Sequence, residues 1–235
     1  HRDENSLSNF VNALGNAYGD ATISLKYLLT NTGMQSGSRI FLGTGLIIPS
    51  NNVLTKNPFL KDDGEDYPDH RHFSLSDGSY KINFELQYYI KSNSIYIYIP
   101  TFYGLTTNYI KPLKESDYGY LPGDTYIAVG SALFATKLKS TWAPKGISLG
   151  LAYLKTDQAF WNDIEAPNSK SEVMIPSIGI IWNHKKYGGL SLNLKYNKNK
   201  VSIPEDAPGS EVKAIEISIG YRKTLNYTIP WLDDY

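Results

Sequence analysis

Cysteine is absent from the 235 residues of this chain. That excludes a disulfide framework, a thiolate nucleophile and a thiolate metal site. An excess of either charge is also lacking: Lys and Arg number 23, Asp and Glu number 23, and the formal net charge is zero. No nucleic-acid partner is expected, because that requires a clustered basic footprint. No apolar run reaches the roughly 18 residues that a membrane-crossing helix needs. Crossing by strands stays open, since a strand needs only every second residue to be apolar. The first residues, "HRDENSLSNF", carry no basic n-region and no apolar h-region. They are not a signal peptide, so any export signal is expected to have been removed already.

Groups for catalysis are few. The four His are His1, His70, His72 and His184. None lies on a strand beside a plausible Ser nucleophile, and no nucleophile elbow is expected. The chain reads as a non-enzyme, with no cofactor and no metal. "DYPDHRHFS" places His70 and His72 near Asp66 and Asp69, and "KDDGED" (Lys61–Asp66) offers oxygen donors around a Gly. Both fall in a charged loop and lack the spacing of a defined metal or EF-hand site. They read as solvated segments.

What the chain has is alternation. In "SYKINFELQYYIK", Ile82, Phe84, Leu86, Tyr88 and Ile90 alternate with Lys81, Asn83, Glu85 and Gln87. Period two means a strand with one apolar and one polar face. Nine such stretches are expected: Ala21–Thr30, Ser38–Ile48, Ser79–Lys91, Ser94–Tyr109, Asp124–Leu138, Gly146–Thr156, Glu172–Asn183, Gly189–Asn199 and Glu211–Lys223. Most are longer than the about 5–6 residues of an ordinary strand and match the about 9–11 that cross a bilayer at a tilt. Connections are expected to alternate short and long, with a tight turn at Lys91–Ser94 and a long outer loop over 49–79. Tyr is abundant, at 19 residues, and Tyr109, Tyr153, Trp182, Tyr196 and Tyr221 near strand ends fit interfacial girdles.

The fold expected is therefore all-β: one domain over 1–235, an antiparallel up-and-down transmembrane β-barrel. Nine strands are visible, of about 10–12 in total. An odd count leaves the termini on opposite sides, so upstream sequence is expected to supply a strand. "LNYTIPWLDD" is the weaker source, because Pro230 cannot donate to a ladder. In a barrel of this kind the inward set is Lys26, Arg39, Lys81, Asn83, Glu85, Gln87, Asn193, Lys195, Glu216 and Arg222, with small residues at Gly43, Gly45, Gly150, Gly179 and Gly220. The inward charges either pair across a filled lumen or set which solutes pass.

Three patterns occur in order: "GDATISLKYLL" (Gly19–Leu29), "FLGTGLIIPSNN" (Phe41–Asn52), and "FSLSDGSYKINFELQYY" (Phe73–Tyr89) followed by "YLPGDTYIAVGSALF" (Tyr120–Phe134). Over Gly19–Phe134 the chain resembles the outer-membrane β-barrel family "MetA-pathway of phenol degradation", transporters distantly similar to long-chain fatty acid transporter barrels. It departs from that pattern at Ser50-Asn51 and in ending "PWLDDY". The resemblance implies a bacterial outer membrane, a lipid bilayer as partner and small, hydrophobic or aromatic solutes. Two alternatives stand beside a solute-passing barrel. One is a filled barrel whose loops dock a partner in an envelope complex; the other is a soluble barrel that buries Phe84 around a ligand.

Overall fold

The computed structural model describes residues 18–32, 36–53, 55, 57, 74–93, 99–136, 138, 140, 142–184, 186–201 and 211–223. The chain is all-β. Its strands are β1 (Ala21–Asn31), β2 (Gly37–Ile48), β3 (Lys81–Lys91), β4 (Phe102–Pro112), β5 (Tyr120–Leu121), β6 (Thr125–Ala135), β7 (Gly146–Thr156), β8 (Phe160–Trp161), β9 (Ile164–Glu165), β10 (Ser171–His184), β11 (Gly188–Val201) and β12 (Glu211–Arg222). The nine long strands form one antiparallel sheet in the order β1-β2-β3-β4-β6-β7-β10-β11-β12. Each pairs with its chain neighbour among the long strands, as hairpins dictate. Among the described residues β1 and β12 are the two edges, and they run in the same direction.

Two details differ from the sequence expectation. The fourth long strand, as described, begins at Phe102 rather than Ser94, and the tight turn expected at Lys91–Ser94 runs into residues outside the described set. Pro100 has no N–H to give a ladder, and residues 94–98 lie outside the described set. The fifth long strand ends at Ala135 rather than Leu138. His70, His72 and the "KDDGED" stretch, like the "LNYTIPWLDD" stretch, also fall outside the described residues.

The end of the sheet bearing connections 49–80, 113–124, 157–170 and 202–210 is called upper here; the other end is lower. At the upper end two connections fold together. β5 pairs β8, and β8 pairs β9, giving a three-stranded sheet of two-residue strands. Such short strands carry no readable period, which is why the sequence does not announce them. The β8–β9 hairpin turns on Asn162 (φ 47°) and Asp163 (φ 66°). Two successive positive φ angles make the type I′ turn that matches strand twist, and Asn and Asp tolerate it best after Gly. The buried apolar residues among those described are Ala159, Trp161 and Ala166, packed with Tyr120, all in this miniature sheet.

The large sheet has no comparable core. Its register puts Ile23, Leu46, Ile82 and Lys111 on one face of adjacent strands, and Leu151, Ile178, Leu194 and Ile217 on that same face farther along. That face is exposed: Leu25 is 75% accessible, Phe84 49% and Ile219 74%. A sheet face of Leu, Ile and Tyr normally lies against another layer. No second layer covers it among the described residues.

Candidate functional site

The opposite face carries the polar groups. One row crosses all nine strands: Asn31, Arg39, Tyr89, Gly104, Ser131, Gly150, Ser177, Lys195 and Glu216 are successive register partners. All ten residues expected to be inward share this face. The structure brings some together in pairs. Lys26 Nζ lies 2.9 Å from Glu85 Oε2, and Gln87 donates to Glu85 Oε1. Lys195 Nζ lies 2.8 Å from Glu216 Oε1. Arg39 Nε donates to Asn31 Oδ1 at 3.0 Å. Lys81 meets Asp77 at 2.5 Å and Asp20 at 3.8 Å. Asp20 and Asp77 come from loops with no periodicity, so sequence reasoning had no signal for them. Asn193 faces Gly179, and Arg222, at the lower end of β12, has no ion-pair partner among the described residues.

Glycine makes the first pair possible. Lys26 on β1 reaches Glu85 on β3 across Gly43 of β2, its register partner on both sides. A Cβ at position 43 would stand 3.1 Å from Glu85 Oε2 and 3.2 Å from Glu85 Cβ. The pair is part-solvated, with side-chain accessibilities of 41% and 17%. Solvent screening holds such a pair to about 0.2–1 kcal/mol. A Lys26→Met/Glu85→Gln double-mutant cycle, read by denaturant titration of the folded protein, is expected to give a coupling in that range. A coupling of several kcal/mol would mean a dry interior.

The polar face is not polar throughout. Between the charged strands β1–β3 and β11–β12, strands β6, β7 and β10 present Ile127, Leu154 and Val173 in one row, then Val129, Ala152 and Ile175 in the next. Ser148 also sits on this face, opposite Gly179. The string Gly146-Ile147-Ser148-Leu149-Gly150 does spell Gly-x-Ser-x-Gly. It lies within β7, not at a strand-to-helix turn, so it is not a nucleophile elbow.

At the upper end the face opens into a cavity of about 610 Å³. Its floor is the last inner-face residues of the strands: Ile47, Lys81, Ile110, Thr125 and Thr156. Its far wall is the miniature sheet, through Tyr120, Ala159, Trp161 and Ala166. Tyr120 and Trp161 have ring centroids 4.9 Å apart. The fully buried Ser79 ties the two parts, its Oγ donating to Tyr120 O at 3.3 Å. Gln158 Nε2 donates to Ala166 O at 2.6 Å and Ser169 Oγ at 2.7 Å, closing the wall. The cavity combines aromatic surface with one cation flanked by two carboxylates.

On the apolar face the upper margin is aromatic. Tyr109 and Tyr126 stack with centroids 4.9 Å apart. Tyr109 Oη donates to Asp124 Oδ2 at 2.5 Å. Lys155 Nζ lies 5.2 Å from the Tyr126 ring and 2.7 Å from Asp157. Rings with an apolar body and a wet tip suit a boundary between hydrocarbon and water. No family model matches the chain, and no curated protein matches it.

Proposed function

We propose that the chain forms the wall of a transmembrane β-barrel in a bacterial outer membrane, and that it passes or binds small solutes without catalysis or cofactor. One observation carries the reading: an apolar face nine strands wide, exposed, with no core behind it among the described residues. Monomeric soluble proteins rarely leave contiguous apolar patches beyond a few hundred Å². Strand length supports it. An 11-residue strand such as β7 extends about 36 Å and, tilted by about 40°, rises about 28 Å, enough for a barrel's apolar band of about 25 Å. Buried Asn83, Asn197 and Asn199 Oδ1 atoms, without hydrogen-bond partners among the described residues, fit a hydrated interior. The apolar and aromatic lining of the upper cavity favours hydrophobic or aromatic solutes, as the family resemblance does. The soluble-barrel reading requires Phe84 in a core, and at 49% accessible it fits that poorly.

The paired charges Lys26–Glu85 and Lys195–Glu216 favour a second reading: a filled barrel that serves a partner in the envelope. Two measurements decide. The protein is expected to need detergent or lipid to stay monodisperse; monodispersity in plain buffer at high concentration overturns the membrane reading. Reconstituted in liposomes, the protein is expected to speed influx of small aromatic solutes. Folded, inserted protein with no flux and no conductance selects the filled barrel.

A further inference from the structure

The zero net charge conceals an uneven distribution along the strand direction. The upper end mixes both signs: Asp20, Asp77, Asp124, Asp157 and Asp163 stand there with Lys81, Lys111, Lys114, Lys155 and Lys170. At the lower end the described cations are Lys91, Lys145, Lys186, Arg222 and Lys223. The sequence of the same connections adds Lys137, Lys139 and Lys185, and contains no Asp or Glu. Lys145 is engaged by its own loop, donating to Leu138 O at 2.8 Å and Ser140 O at 2.7 Å. Lys91, Lys186, Arg222 and Lys223 have no acidic partner among the described residues.

Aromatic rings stand among these cations. Trp142, 74% accessible, lies 5.5 Å from His184 and 6.4 Å from Tyr187, centroid to centroid. Lys186 Nζ sits 5.4 Å from the Tyr187 ring, and Tyr221 Oη donates to Tyr187 O at 2.6 Å. The cluster gathers the 136–145 connection, the 185–187 turn and the end of β12. Beside it runs a groove of about 900 Å³, lined by Trp182, His184 and Lys186 on one bank and Tyr221, Arg222 and Lys223 on the other.

We infer that the lower end is a collar that binds anionic phospholipid headgroups of the leaflet it meets. This rests on the membrane reading above. Unpaired cations supply the charge complement to lipid phosphates. Indole and phenol rings fix the depth at which those cations sit, their bodies towards acyl chains and their polar atoms towards headgroups. The groove lets a headgroup approach between two cationic banks. At the upper end Lys81, Lys114 and Lys155 are each paired with an Asp, so the two ends meet anionic lipid differently.

The test uses the full chain reconstituted in phosphatidylcholine bilayers holding a trace of spin-labelled lipid. The readout is the relative association constant of labelled phosphatidylglycerol over labelled phosphatidylcholine at the protein boundary. The expected value is several-fold above one at low salt, falling towards one near 0.5 M salt as the screening length shrinks to a few Å. A Lys91→Gln/Lys186→Gln/Arg222→Gln/Lys223→Gln variant is expected to lose most of the preference, because it removes the charge complement to the lipid phosphates. A Lys111→Gln/Lys170→Gln variant at the upper end is expected to keep it. A wild-type value of one, with boundary lipid present, overturns the collar alone. Absence of any boundary-lipid signal from either label overturns the membrane reading and the collar with it. Equal affinity for both lipids, joined to cation-dependent binding of polyglutamate, makes the end a dock for an acidic protein and also overturns the inference.

Discussion

Leu151→Arg is expected to cost about 2–4 kcal/mol of folding free energy in a bilayer, the penalty for a cation at the midplane of a barrel's lipid face. Leu151 is the middle residue of β7 and projects from the exposed apolar face, 48% accessible. Its neighbours in register are Gly130 on β6 and Pro176 on β10. Gly130 adds no bulk, and a Cβ there would touch nothing within 4 Å, so an arginine fits sterically. The effect is then one of solvation. Denaturant titration of liposome-folded protein is the measurement, with Ser131→Arg on the opposite face of β6 as the comparison. A wall facing lipid makes Leu151→Arg at least tenfold worse in folding equilibrium than Ser131→Arg. Equal costs at the two sites would mean that neither face meets hydrocarbon.

Trp161→Ala is expected to act in the opposite manner, large in effect but confined in place. Trp161 is 4% accessible and anchors the only buried apolar cluster among the described residues. Truncating such a side chain removes about 3–5 kcal/mol, more than a sheet of two-residue strands holds by itself. The miniature sheet then opens, and the upper cavity loses its far wall. Hydrogen exchange is expected to speed up at Phe160–Glu165 and Tyr120–Leu121 while the amides of β6 and β7 keep their protection. Solute influx through reconstituted protein is expected to rise if this wall restricts access. Loss of protection throughout β6 and β7 would show that the miniature sheet props up the large one.

The nine long strands were legible because each face obeys a period of two over 11 or more residues, so a misplaced end barely alters the pattern. β4 shows the limit. "SIYIYIPTFYGLTTNY" alternates from Ser94, yet the described strand starts at Phe102, and Pro100 just before it has no N–H to give a ladder. The polar set was legible for the same reason, down to which residues share a face. What those residues touch was not. Lys81 was read with its strand, but its partners Asp20 and Asp77 come from segments outside any periodic stretch. The miniature sheet was hidden altogether. Its strands are two residues long, and its stability comes from Trp161 and Tyr120, which lie far apart in the chain and meet only in three dimensions.

The order of the sheet has a kinetic consequence. Every pair in it joins consecutive long strands, so each hairpin can form locally and extend its neighbour, a low-contact-order route that favours fast zippering. The two edges, Ala21–Asn31 and Glu211–Arg222, run in the same direction, so an antiparallel ring closes only through a further strand. In the proposed barrel that closure spans nearly the whole chain; its entropy grows only with the logarithm of that length, but no hairpin nucleates it. Such a seam would be the last pairing to form and the first to part, and a crosslink there would slow unfolding far more than the same crosslink between β6 and β7.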